Sequence, residues 1–182
     1  MSDAFTAALE QSLGIEGDFS DDPADSGGAT RFGITEAVAR RHGYAGPMRE
    51  LPPDTARAIY RADYWDAQSL DAVAVLSWRI AFELFDTGIN MGTSQSGEFL
   101  QMALNALNRR ASDYDDVEVD GEIGPQTIDA LTAYIHRRGK DGETVLLRAL
   151  NALQGAGYIE LAERREKDER FVFGWFLHRV RI

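Results

Sequence analysis

The stretch Ile15-Glu16-Gly17-Asp18-Phe19-Ser20-Asp21-Asp22-Pro23-Ala24-Asp25-Ser26-Gly27-Gly28-Ala29-Thr30-Arg31-Phe32-Gly33-Ile34-Thr35 decides the fold, because it breaks a chain that otherwise reads as helix. It is dense in turn formers and fits a loop followed by a small hairpin. Before it, Ser2 or Asp3 can cap a helix with Phe5, Ala8, Leu9 and Leu13 on one face, and Gly14 stops that helix. After it, Thr35 suits the cap of a short helix ending at His42-Gly43, and Pro53 the first turn of another running to about Tyr64.

Outward from there the pattern stays helical. Residues 71–91 are apolar on nearly every face, which predicts a central helix buried by its neighbours. Asp71, Arg79, Glu83 and Asp86 interrupt it too often for a membrane span. Ser96 begins a further helix with Phe99, Leu100, Ala103, Leu104 and Leu107, and a polar stretch follows over 108–124. Residues 125–138, 143–153 and 158–170 read as helices, and the aromatic segment 171–177 closes the chain. The fold class is therefore mainly α: a helical bundle with a small β-hairpin carrying a polar loop.

With 182 residues, 44% of them hydrophobic and 27% charged, the chain has the composition of a globular domain. The net charge of −11 is uneven: residues 1–120 carry 21 acids and 9 bases, residues 121–182 carry 9 and 10. An acidic surface repels phosphate backbones, which excludes a bulk nucleic-acid binder, and it disfavours adsorption to anionic membranes. Without cysteine there is no disulfide, thiolate zinc site or thiol nucleophile. His42, His136 and His178 are too scattered to form a metal site, so neither metal nor other cofactor is expected. The start shows no signal peptide, so synthesis in the cytoplasm and separate export or release are expected. A monomer is expected.

A glycosidase needs a carboxylic acid to protonate the leaving oxygen, and usually a second carboxylate to activate water or attack the sugar. Glu16 follows an apolar helix face, where partial desolvation would favour its neutral form. Pro23, Gly27 and Gly28 can fold Asp25 back toward it, with Thr30 on the returning strand, within reach to hold a water. Such a loop can also be only a solvated turn. Calcium fits poorly: an EF-hand register from Asp18 puts Pro23 where Gly is needed and Ala29 where the bidentate Glu belongs.

The strings Ile15-Glu16-Gly17 and Asp22 through Thr35 resemble the N-terminal signature of glycoside hydrolase family 108, peptidoglycan-cleaving muramidases found among phage endolysins and secretion-associated lysozymes. The resemblance implies a lysozyme-like fold and cleavage of the β-1,4 bond between N-acetylmuramic acid and N-acetylglucosamine. Glu16 matches the catalytic glutamate. The Glu16–Asp25 interval is similar to that of phage-type lysozymes, in which a Thr completes the site. Thr30 follows Asp25 with four residues between rather than the five usual there. Asp18 stands where the family commonly has Gly; its charge could raise the pKa of Glu16 or bind polar groups of the substrate.

Ile59-Tyr60 with Tyr64-Trp65-Asp66 is also similar to the family, and makes Tyr64 and Trp65 candidates for stacking on sugar rings, with core packing as the alternative. Asp86 and Asn90, in a second family-like string over 85–92, are expected to support the catalytic loop structurally, and Glu83 invites the same reading. Asp116 through Thr127 begins like an EF-hand loop but lacks the final carboxylate. Val119 through Thr127 instead resembles the turn and helix start of peptidoglycan-binding modules, and Phe173-Gly174-Trp175 with Arg179 their closing motif.

The expectation is thus a hydrolase region over 1–92, with its catalytic loop at 16–35, and a helical, predicted peptidoglycan-binding region over 93–182, packed as one unit. Its partner would be peptidoglycan glycan strands, and its place of action the periplasm or cell wall, reached through a holin or a dedicated secretion system. The alternative is a catalytically inactive peptidoglycan-binding or assembly protein of the same fold.

Overall fold

The computed structural model describes residues 3–13, 19–20 and 29–180, and forms two compact units, residues 1–67 and 68–182. The helix that ends at Met91 packs against the helices on either side of it in the second unit.

In the first unit, α1 (Ala4–Leu13) is capped by Asp3, whose carboxylate accepts the Thr6 N–H at 2.7 Å. That bond holds the Asp3 carboxyl below the usual carboxylate range. Next come β1 (Phe19–Ser20), β2 (Thr30–Arg31) and β3 (Ile34–Thr35), paired in that order. The expected hairpin is β2–β3, and β1 adds a third antiparallel strand that strands of two residues leave no period to reveal. Thr35 caps α2 (Glu36–Arg41) as expected, accepting the Val38 N–H at 3.4 Å. α3 (Pro53–Tyr60) opens on its proline, whose fixed φ and missing N–H suit a first turn. It runs into a π-helical turn, Arg61–Trp65.

In the second unit the expected single helix over 71–91 is two, α4 (Leu70–Leu76) and α5 (Trp78–Met91). Ser77 breaks them: its backbone is extended, at φ −159° and ψ 114°, and its hydroxyl accepts the Ile80 N–H at 3.2 Å. Burial is also less uniform than the apolar run suggests, with Val75 87% exposed. α6 (Thr93–Leu107) starts before Ser96, which is buried and donates to the Leu84 carbonyl at 2.9 Å, joining α6 to α5.

α7 (Pro125–Arg164) is broken at Gly139, with φ 57° and ψ −144°, where the sequence ends its first segment. The second expected break, near residues 154–157, is absent. A Cβ on Gly157 would lie 2.3 Å from Met91 Cε, so that glycine admits close packing instead of ending the helix. α8 (Glu169–His178) makes the aromatic segment helical and packs on α7.

Candidate active site

The hairpin's two-residue turn, Phe32-Gly33, has both φ angles positive, at 53° and 73°, as turns that match strand twist require. Only glycine enters that region freely, and Phe32 is held there from outside. The Tyr60 hydroxyl, at the end of α3, donates to the Phe32 carbonyl at 3.0 Å. A Cβ on Gly33 would lie 2.5 Å from the same oxygen, so position 33 is closed to larger residues on two grounds. Burial, and secondarily Tyr64, pushes the Tyr60 hydroxyl up to about 12. It therefore stays a donor at every physiological pH.

Replacing Tyr60 by Phe leaves the Phe32 carbonyl unmatched, and is expected to cost about 1–2 kcal/mol in urea unfolding. In the wild type, the stability carried by the neutral phenol is fully present below its ordinary value of 10.0 and is lost as pH rises through about 12. A Tyr60→Phe variant unfolding at the wild-type midpoint would contradict this.

Thr30 lies half-buried on β2, paired with Ser20 of β1 and Thr35 of β3. The Glu36 N–H donates to the neighbouring Ala29 carbonyl at 3.0 Å, tying the strand to the start of α2. Arg31 donates to the Arg49 carbonyl and lies over the Phe32 ring, 4.9 Å from its centroid. The hairpin is thus fastened from α2, α3 and the turn at Met48–Glu50. Glu16, Asp18 and Asp25 themselves lie outside the described residues.

Tyr64 is half-buried, its ring 5.6 Å from that of Tyr60, and burial raises its hydroxyl pKa. Trp65 is 0% exposed and meets Phe5 edge-on at 5.7 Å, which makes it core in this structure and corrects the expectation of a sugar-stacking face. Asp63 beside them binds His42 Nε2 at 2.9 Å and Arg41 at 3.6 Å, fixing α2 to the π turn.

In the second unit, Asp86 accepts the Arg179 guanidinium at 2.7 Å, and the Asn90 side-chain amide donates to the Asp86 carbonyl at 2.7 Å. This support runs from α5 to the end of α8. Glu83 is buried one turn earlier. At the turn over 119–127, Gln101 is the organising group: its oxygen accepts the Gly121 N–H at 2.8 Å, and its amide donates to Asp120 at 2.7 Å and to the Glu122 carbonyl at 3.0 Å. Gly121, at φ 80°, and Gly97 meet backbone to backbone, since a Cβ on Gly97 would lie 2.1 Å from the Gly121 carbonyl oxygen. Gln101 had no chemical motif to mark it, only a polar atom on an otherwise buried helix face, and Tyr60 stood in a family-like string without a role of its own. Among the described residues, no group of three His, Asp or Glu side chains could hold a metal ion.

Residues 9–92 match the family model described as glycosyl hydrolase 108, a span that includes Glu16, Asp18, Asp25, Thr30, Tyr64 and Trp65. This region belongs to glycosyl hydrolase family 108. Residues 97–180 match a second model, described as predicted peptidoglycan domain, which takes in the Gln101-held turn and α8. The two matches support a peptidoglycan hydrolase of the glycoside hydrolase class. The structure is similar to that of SagA from Brucella abortus, with a TM-score of 0.61 and 24% identity over 98% of this chain and 96% of that chain. That likeness shows the fold, mainly α and lysozyme-like. Comparison with curated protein sequences gave no match.

Proposed function

We propose that this protein is an N-acetylmuramidase, hydrolysing the β-1,4 bond between N-acetylmuramic acid and N-acetylglucosamine. The observation that carries this reading is the family 108 match over 9–92, which spans both carboxylates that the chemistry needs. Glu16 protonates the glycosidic oxygen as its bond to the anomeric carbon breaks. Asp25 positions or activates a water for that carbon, with the Thr30 hydroxyl helping to hold it, and the half-buried Tyr64 borders the sugar. Water is added across the bond, so no electron carrier enters the balance.

On this reading the region over 1–92 performs hydrolysis and that over 93–182 holds the wall. The enzyme acts as a monomer in the periplasm or cell wall, after passage through a holin or a dedicated secretion system. The test is digestion of purified peptidoglycan followed by borohydride reduction of the new ends. Reduced N-acetylmuramic acid is the expected product. Reduced N-acetylglucosamine would make the enzyme a glucosaminidase, and wall binding without new ends would favour the inactive binding protein.

A further inference from the structure

α8 has two unlike faces. Inward, Trp175 stacks on Tyr158 at 4.8 Å, and Arg179, just past the helix end, reaches Asp86. Outward, Phe173 is 78% exposed and Leu177, one turn on, 63% exposed. Between them sits Gly174, and a Cβ there would meet no described residue within 4 Å. Glycine inside a helix is unfavourable relative to alanine by about 1 kcal/mol. At Gly157 the Met91 side chain packs against that space; at Gly174 no described residue does. A bare strip of helix backbone flanked by an exposed ring and an exposed aliphatic side chain suits a flat, partly apolar body arriving from outside.

The match of residues 97–180 to the predicted peptidoglycan domain narrows what that body is. Arg170 is exposed beside Glu169 and lies over the Phe171 ring, 4.5 Å from its centroid, while Arg179 is taken up by Asp86. Two outward apolar side chains on a ten-residue helix make a narrow lipid anchor. A glycan strand with stem peptides fits better: its pyranose faces are flat and partly apolar, and its peptide carboxylates can meet Arg170.

We propose that the outward face of α8, Phe173 and Leu177 about the open backbone at Gly174 with Arg170 at its rim, is the surface that docks peptidoglycan strands. This rests on the reading of the protein as a peptidoglycan hydrolase and assigns the wall-holding role to one face.

The experiment is co-sedimentation of the full chain with insoluble peptidoglycan sacculi and, separately, with phosphatidylglycerol vesicles, beside hydrolysis of a soluble glycan fragment. Phe173→Ser with Leu177→Ser should weaken sedimentation with sacculi at least tenfold and leave turnover of the soluble fragment unchanged. Gly174→Gln, which removes a helix-weakening glycine, should raise or preserve the thermal midpoint while weakening sedimentation in the same way. Undiminished sedimentation of both variants overturns the proposal, as does a wild type that sediments with the vesicles and not with sacculi. A wild type inert on the soluble fragment would sink the hydrolase reading, while sedimentation would still decide the docking face.

Discussion

Glu16→Gln is expected to lower the release of reducing ends from peptidoglycan by about 10²–10⁴-fold, the usual worth of a positioned general acid. The amide has nearly the shape of the acid and can still hydrogen-bond the glycosidic oxygen, but it has no proton of suitable acidity to give. The leaving sugar must then depart as an alkoxide. Binding should survive, so sedimentation with sacculi ought to match the wild type, and the rate should fall at saturating substrate rather than only at low substrate. Asp25→Asn is expected to slow the same step by acting on water, and Thr30→Val to do so less, because a hydroxyl only orients what Asp25 activates. Equal release by Glu16→Gln and wild type would remove Glu16 from the mechanism and leave the family match without its chemistry.

How far the sequence went can be judged at particular residues. Thr35 and Pro53 were legible as helix starts because capping and a fixed φ are local properties. The hairpin was legible from its turn formers, yet β1 was not, since two residues cannot show an alternation. Ser77 hid inside an apolar run because a serine that caps and a serine that is merely buried look alike until the backbone turns extended. Gly157 looked like a break for the converse reason: what it accommodates, Met91, is 66 residues away.

At the site the order Glu16, Asp25, Thr30 came from a long, specific string, which periodicity could not have supplied. Trp65 stayed open between sugar contact and core because a ring near a helix end can face either way, and the packing against Phe5 places it in the core. The Tyr60 clamp depends on a partner 28 residues earlier, and no local rule reaches that far.

The second large effect lies at Arg179. Replacing it by Ala is expected to destabilise the protein by about 3–5 kcal/mol, the usual cost of leaving one member of a buried ion pair alone. The Asp86 side chain is 9% exposed and that of Arg179 24%, with 2.7 Å between them, so losing the guanidinium strands a largely buried carboxylate. Glu83 is buried on the same helix three residues before Asp86.

The Tyr158 hydroxyl, which burial first and Asp86 next push above the ordinary phenol range, relies on Arg179 to offset that field. The pair also fixes the residue just past the end of α8, so its loss should free the helix that carries Phe173 and Leu177 and weaken sedimentation with sacculi. Asp86→Leu combined with Arg179→Leu should recover most of the stability that Arg179→Ala loses, because two apolar residues leave no charge stranded. A double-mutant cycle in urea separates the two effects. If Arg179→Ala costs less than about 1 kcal/mol, the pair behaves as a solvated surface bridge and α8 is held by its aromatic stack alone.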